Sequence, residues 1–356
     1  MMSTIVREQG SEPQVLEQVL QHWGLGGAQV APCGNGLINT TYAVTADSGA
    51  RTILQALSPI FDPAIHHNIQ AVTQALARAG IHTPQLLPTQ AGQLWLEHAG
   101  GVWRMQTAIE GVSFDALADA AQARAAGAFV GRWHAALAQL DHEFVALRVG
   151  VHDTPRHLAR LRDALGQLEQ HRLYAQVEPL GRALLDAAQS LAPLPECPPR
   201  VAHGDLKINN MMFAGGDGRG RLQPLALIDL DTVAPMPLAH ELGDAWRSWC
   251  NLASEDQPEA RFDFQLFEAS WAGWLAGHGA PPSPVEREAL LLGPEWISLE
   301  LAVRFAADAL FEDYFGWDAQ RFAGRGEHNL ARARGQASLY QAMNATRRER
   351  AVVLGA

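Results

Sequence analysis

Residues 201–213 read VAHGDLKINNMMF, a short polar stretch held between oily ends. Val201 and Ala202 lead in and Met211, Met212 and Phe213 lead out, while His203, Asp205, Lys207, Asn209 and Asn210 fill the interval. Apolar runs this short suit buried strands, which puts the polar residues on a loop between strand ends. After the turn-rich AGGDGRGR (214–221), a second apolar run closes on Ile228-Asp229-Leu230-Asp231. Two such runs around a glycine-rich turn predict a hairpin or paired strands. Residues 200–232 are therefore expected to form a small β island.

The surroundings of the island differ on its two sides. From Ser113 onward the pattern is helical; Thr154-Pro155 and Ser283-Pro284 predict N-caps with a first-turn proline, and Glu286 completes a capping box with Ser283. PLPECPP (193–199) reads as the linker into the island. Toward the N-terminus, PQVLEQVLQHWGLGG (13–27) sets Val15, Leu16, Val19, Leu20 and Trp23 on one helical stripe that stops at Gly24 and Gly26. Between Ala28 and Thr107 the period becomes two, in AQVAP, LINTTYAVT, RTILQAL, QLWLEH and GVWRMQT, which predicts an antiparallel sheet. One helix, HHNIQAVTQALARAG (66–80), interrupts it. The expected fold is α+β. A leading helix and small antiparallel-sheet lobe occupy residues 1–109, and a larger, mainly helical lobe with the island occupies residues 110–356.

Bulk composition agrees with two lobes. The chain has 356 residues, 47% of them hydrophobic and 18% charged, ordinary values for a globular protein. A net charge of −11 argues against nucleic acid as a partner. Cys33, Cys197 and Cys250 are odd in number and form no C-x-x-C pair, so neither a zinc site nor a disulfide framework is expected. With no apolar run of the roughly 18 residues a membrane span needs, the expectation is a cytoplasmic chain, monomeric or weakly dimeric, acting on a small molecule.

The island supplies hard oxygen donors from adjacent strand ends. Mg2+ takes one or two protein ligands of this kind and leaves its other positions to water and phosphates. Asn210 and Asp229 suit that role, with Asp231 as a further ligand or a support. Asp205, five residues ahead of Asn210, is placed to accept a proton from an attacking hydroxyl. D-x-x-x-x-N followed by a metal-binding aspartate is the spacing of the kinase catalytic loop H-R-D-x-x-x-x-N. Glycine, aspartate and asparagine crowd into turns for structural reasons alone, so a lone D-x-x-x-x-N carries no weight. Four specified residues between strands and followed by Ile-Asp arise by chance in well under roughly 1% of chains of this length.

With H-G-D in place of H-R-D, the stretch resembles the aminoglycoside phosphotransferase family and its relatives, whose fold is kinase-like and whose metal aspartate sits in an Ile-Asp pair. The resemblance implies ATP and Mg2+ as cofactors, Asp205 as catalytic base and Lys207 as the lysine on the transferring phosphate. In HELGDAWRSW (240–249) the family's matching aspartate braces the catalytic loop, which makes Asp244 the expected brace, with Arg247 beside it.

The N-terminal lobe holds a partial glycine-rich loop. In CGNGLINTTYAV, Gly34, Asn35 and Gly36 lead into a strand, with Asn39 where a third glycine would stand and Thr40 following. The next strand carries Gln55 where kinases place the lysine that pairs the α- and β-phosphates. Gln55 as a neutral donor, or Arg51, are the available substitutes. By analogy, backbone groups from Gln106 to Ile109 read the adenine.

The runs GNGLINTTY, ILQALSPIF, IDLDTVAP, RFAADALFEDYF and HNLARARGQ narrow the resemblance to the N-acetylhexosamine 1-kinase branch, over roughly residues 15–345. It implies phosphoryl transfer from ATP to the anomeric hydroxyl of N-acetylglucosamine or N-acetylgalactosamine, with Arg304 and Tyr314 as sugar contacts. Two alternatives stand beside it: a kinase of another hydroxyl compound, such as an aminoglycoside, choline or homoserine, and an inactive kinase-like binding protein, for which Gln55 is the best argument.

Overall fold

The computed structural model describes residues 12–34, 38–148, 150–214, 222–253 and 255–356. They fall into two compact units. One comprises Met1–Gln74, Thr83–Ile109 and His142–Ala146, the other Ala75–His82, Glu110–Asp141 and Leu147–Ala356.

In the first unit, helix α1 (Glu12–Gln21) precedes strands β1 (Gln29–Pro32), β2 (Thr40–Thr45) and β3 (Arg51–Leu57), and helix α2 (Ile65–Arg78), whose residues from Ala75 onward count with the other unit, follows them. Strands β4 (Leu86–Leu87), β5 (Leu96–His98) and β6 (Gly101–Thr107) complete an antiparallel sheet of order β1-β2-β3-β6-β4, with β5 also on β6. Alternation gives this sheet two unlike faces. Tyr42, Val44, Leu54, Trp103 and Met105 form one face and pack with Val19 and Leu20 of α1. Thr41, Gln55, Arg104 and Gln106 share the other, because Gln55 lies directly opposite Thr41 on β2 and Arg104 on β6.

The second unit contains α3 (Ala120–Leu137), α4 (Thr154–Gln167), α5 (Tyr174–Ser190), the island strands β7 (Arg200–Ala202), β8 (Met211–Phe213), β9 (Pro224–Leu227) and β10 (Ala234–Met236), and then α6 (Leu238–Trp249), α7 (Phe264–His278), α8 (Pro284–Phe311), α9 (Arg325–Ala345) and α10 (Arg347–Leu354). The island is two antiparallel pairs, β8 with β9 and β7 with β10. The expected capping box at Ser283 and Glu286 forms. The cap of α4 is shifted by one residue: Asp153 accepts the Arg156 N–H, while the Thr154 hydroxyl instead donates to Glu300 at 2.6 Å.

Glycines set how closely the helices approach. An added Cβ at Gly127 would fall 1.9 Å from the Ser270 carbonyl, and one at Gly273 2.0 Å from that of Arg124, so α3 and α7 touch backbone to backbone. Gly243 and Gly293 bring α6 against α8 in the same way. Among the described residues no helix is long and apolar enough to cross a membrane, and Cys33, Cys197 and Cys250 are free thiols.

Candidate active site

Three segments of the second unit converge on the loop 203–210. β7 runs into His203, the 3₁₀ turn Ile208–Asn210 leads into β8, and β9 delivers Ile228 and Asp229. The Ile228 N–H donates to the Asn210 carbonyl at 2.9 Å. His203, fully buried, donates from Nε2 to the Ile228 carbonyl at 2.9 Å, and its Nδ1 accepts the Asp205 N–H at 3.3 Å. With both ring nitrogens engaged, His203 is a cross-link between loop and strand rather than a proton carrier. Gly204 turns at φ +80°, and a Cβ there would lie 2.5 Å from the Thr232 carbonyl. That close approach accounts for glycine in place of the arginine of H-R-D.

Asp205, Lys207 and Asn210 come together directly. Lys207 Nζ stands 3.0 Å from Asp205 Oδ2, and the Asn210 amide nitrogen donates to the Asp205 carbonyl at 2.8 Å and to its Oδ2 at 3.1 Å. Since the amide nitrogen of Asn210 is held on Asp205, its carbonyl oxygen is the end presented elsewhere. Asp229 has φ +64°, a left-handed conformation that costs a non-glycine residue about 1 kcal/mol or more. The bonds on either side of Ile228 hold it there. Burial works against the Lys207 ammonium, but the charge of Asp205, with Asp229 and Asp244 behind it, outweighs this and raises its pKa. Asp231 lies in the 3₁₀ turn Leu230–Thr232 and is buried.

Among the described residues, no three His, Cys, Asp or Glu side chains group to hold a metal by themselves. The donors present, one amide oxygen and separate carboxylates, fit Mg2+, which completes its shell with water and phosphate oxygens.

The direct hydrogen bonds that brace this loop come from Glu241, which no motif marked. The Glu241 carboxylate accepts the His203 N–H at 2.8 Å, the Gly204 N–H at 3.0 Å and His134 Nε2 at 3.1 Å. His134 Nδ1 accepts the Trp274 indole N–H at 3.0 Å, which leaves the ring proton on Nε2 to donate to Glu241. Burial opposes charge on Glu241, yet the hydrogen bond and charge of His134, followed by His203, pull its pKa below the usual range. Two turns further along α6, the Ser248 hydroxyl accepts the Ile208 N–H at 3.0 Å and the Trp249 indole donates to the Leu206 carbonyl at 2.8 Å. One helix thus grips the loop at 203–204 and on both sides of Lys207. Asp244, one turn from Glu241 on α6, pairs with Arg247 at 2.8 Å and adds its charge to that of Asp205 on Lys207. Glu241, Ser248 and Trp249 escape a sequence reading because helix-interior residues carry no motif for such contacts.

Next to Glu241 lies a histidine cluster. The rings of His240 and His152 are 4.6 Å apart, and His152 Nδ1 bonds Glu300 at 3.0 Å. Burial, reinforced by the charge of His152, lowers the His240 pKa to about 4. Between pH 6.5 and 4 the unfolded chain binds this proton and the folded chain does not. Its contribution to stability is therefore complete above pH 6.5 and is lost as the pH falls toward 4. His240→Gln is expected to reduce the acid sensitivity of unfolding across that window by on the order of 2 kcal/mol, measured by urea titration of both proteins at several pH values.

The remaining expected site residues are positioned as follows. Arg304 lies over the rings of Tyr314 and Phe315, at 5.8 and 5.4 Å from their centroids. Tyr314 is 51% exposed, and its hydroxyl accepts Arg148 Nη2 at 3.0 Å. In the first unit, Gln55 donates to the Thr41 hydroxyl at 3.0 Å and accepts Arg104 Nε at 2.9 Å and Gln106 Nε2 at 3.2 Å. Asn39 accepts the Ser58 N–H at 2.9 Å, which ties the start of β2 to the end of β3, and Thr40 pairs with Ala56. Gly34 is exposed with φ +79°, and Ile109 is half-buried. Asn35 and Gly36 lie outside the described residues.

Solved structures of similar fold are small-molecule kinases. Amicoumacin kinase hAmiN, in complex with AMP-PNP and Ca2+, is 15% identical, with a TM-score of 0.62 over 93% of each chain. An aminoglycoside phosphotransferase from Alicyclobacillus acidocaldarius is 16% identical, with a TM-score of 0.59 over 93% of this chain and 95% of its own. The Plasmodium vivax ethanolamine kinase is 12% identical, with a TM-score of 0.57 over 95% of this chain and 90% of its own. An antiparallel-sheet N-terminal region followed by a helical C-terminal region is the kinase-like α+β fold they share. The sequence itself matches the phosphotransferase enzyme family across residues 29–276, a span that includes the whole of the loop described above. The chain belongs to the phosphotransferase enzyme family.

Proposed function

We propose that this chain transfers the γ-phosphoryl group of ATP to the anomeric hydroxyl of an N-acetylhexosamine. The observation that carries the kinase reading is the bonded set Asp205, Lys207 and Asn210, with the Asp229 turn locked to it through Ile228. An inactive scaffold has no physical need for that set. In the proposed reaction Asp205 orients the acceptor hydroxyl and takes its proton as the oxygen bonds to phosphorus and the bond to the ADP oxygen breaks. Lys207 offsets charge on the transferring group. Asn210 and Asp229, with Asp231 in support, would hold Mg2+. When bound, that ion neutralises phosphate charge.

Residues 1–109 are read as the nucleotide-binding lobe, with Gly34, Asn35, Gly36, Asn39, Thr40, Gln55, Gln106 and Ile109 as candidate contacts. Residues 110–356 are read as the catalytic and acceptor lobe. The sugar assignment is supported by Arg304 over Tyr314 and Phe315, since an exposed ring beside a guanidinium suits a sugar face and its polar edge. A second reading, a hydroxyl acceptor that carries an amine, is favoured by the acceptors named for the ethanolamine kinase and the aminoglycoside phosphotransferase.

The test is ADP release from Mg-ATP with N-acetylglucosamine, N-acetylgalactosamine, ethanolamine, choline and an aminoglycoside, with the phosphate position read by NMR. Turnover with the amino sugars and a 1-phosphate product supports the first reading. Turnover only with the amines supports the second, and none with any acceptor supports a scaffold. Asp229→Asn, which keeps a residue tolerant of positive φ, is expected to weaken Mg-ATP binding roughly tenfold or more. Unchanged affinity by calorimetry would count against its metal role.

A further inference from the structure

Helix α8 ends at Phe311, and its last turn buries a carboxylate, Asp308, at 1% exposure. A negative charge near the C-terminal end of a helix meets the negative end of the dipole, where it is disfavoured. Burial adds to this and pushes the Asp308 pKa up, so folding works against its charged form. Stability alone is therefore a poor reason for an aspartate here. Its oxygens hold one short segment. Oδ1 accepts the N–H groups of Asp313 at 3.1 Å and Tyr314 at 3.0 Å. Oδ2 accepts the Phe315 N–H and the Asn329 side-chain amide, both at 2.8 Å. Arg332 of α9 takes the next group along, donating Nη1 to the Gly316 carbonyl at 2.9 Å. Four consecutive residues, 313–316, are thus fixed through their backbone. The Phe315 ring packs on Phe305 of α8 with centroids 4.4 Å apart. Tyr314, by contrast, keeps its ring 51% exposed, beside Arg304, which precedes Asp308 by four residues and shares its face of α8. A loop fixed only for packing would turn that ring inward.

We propose that Asp308 is a positioning residue of the acceptor site: by holding the backbone at 313–315 it presents the Tyr314 ring beside Arg304 as a preformed platform for the apolar face of a pyranose. Asn329 supports the carboxylate from α9. A platform already in place needs no ordering when the acceptor arrives, so its benefit falls on acceptor affinity and not on the chemical step. A linear amino alcohol has no flat face to lay on the ring and gains little from it. The inference deepens the amino-sugar reading and rests on it.

Steady-state ADP release with N-acetylglucosamine gives the acceptor KM and kcat, and calorimetry gives ADP affinity. Asp308→Asn keeps one acceptor oxygen but sets an N–H₂ against donors. It is expected to raise the acceptor KM roughly tenfold, with kcat and ADP affinity within about twofold. A Tyr314→Ala background separates positioning from a general loss of structure. There the same Asp308→Asn change is expected to raise KM by no more than about twofold, because two residues acting through one contact are not additive. An unchanged KM in Asp308→Asn, the same KM increase in both backgrounds, or a fall in kcat with KM unaltered would overturn the proposal. Should Asp308→Asn fail to fold, Asn329→Ala carries the test. The carboxylate then stays and one of its supports is lost, so KM rises severalfold only where Tyr314 is present, and an unchanged KM overturns the proposal. Failure of the amino-sugar reading looks different: the parent protein itself turns over neither N-acetylglucosamine nor N-acetylgalactosamine.

Discussion

Asp205→Ala is expected to lower kcat by roughly 10²–10⁴-fold, the range for loss of a positioned general base, while ADP affinity stays within about twofold. The reason is geometric. Asp205 belongs to the loop that would meet the acceptor, and its carboxylate is bonded to Lys207 and Asn210 rather than to any group assigned to the nucleotide base. Asp205→Asn separates two roles of the side chain. It retains an oxygen for the Asn210 N–H and for Lys207 but cannot take a proton, so its kcat is expected to fall nearly as far as that of the alanine variant. Steady-state ADP release gives the rate and calorimetry gives the affinity. Retained turnover with lost nucleotide binding would reassign Asp205 to the nucleotide.

Glu241→Ala is expected to have the largest effect on stability. Its carboxylate is 1% exposed and accepts from His203 N–H, Gly204 N–H and His134 Nε2. Truncation leaves these donors buried without an acceptor, at a cost of roughly 1–3 kcal/mol each, and a total of about 3–5 kcal/mol is in line with breaking other buried charged contacts. Kinetic loss should accompany it, because the two amides released belong to the loop that carries Asp205. Glu241→Gln is intermediate: one oxygen still accepts, but its new N–H₂ faces a donor. Urea unfolding of both variants measures the first effect and kcat the second. Wild-type stability in Glu241→Ala would show that the loop holds its shape without α6.

The residues legible in advance are those whose geometry is local. The four specified positions of H-G-D-x-x-x-x-N fall within eight consecutive residues, so a short loop between two strands keeps Asp205, Lys207 and Asn210 near one another. The alternating strands of the first unit and the capping box at Ser283 were readable for the same reason: period and cap chemistry act over a few residues. Asp229 was also readable, because a hairpin returns it beside Asn210.

What could not be read depends on distant segments. Glu241 meets His203 across 38 residues of chain, and no motif marked it; its contact with the loop depends on the packing of α6, which Gly243 and Gly293 bring close against α8. Likewise the chain shows that Gln55 is not a lysine, but not that Arg104 stands across from it, since strand register joins residues 49 apart. Periodicity and turn chemistry are properties of neighbouring residues and are written along the chain. Register between strands and the rotation of a helix about its axis are settled by burial summed over the whole core, and no single stretch carries that information.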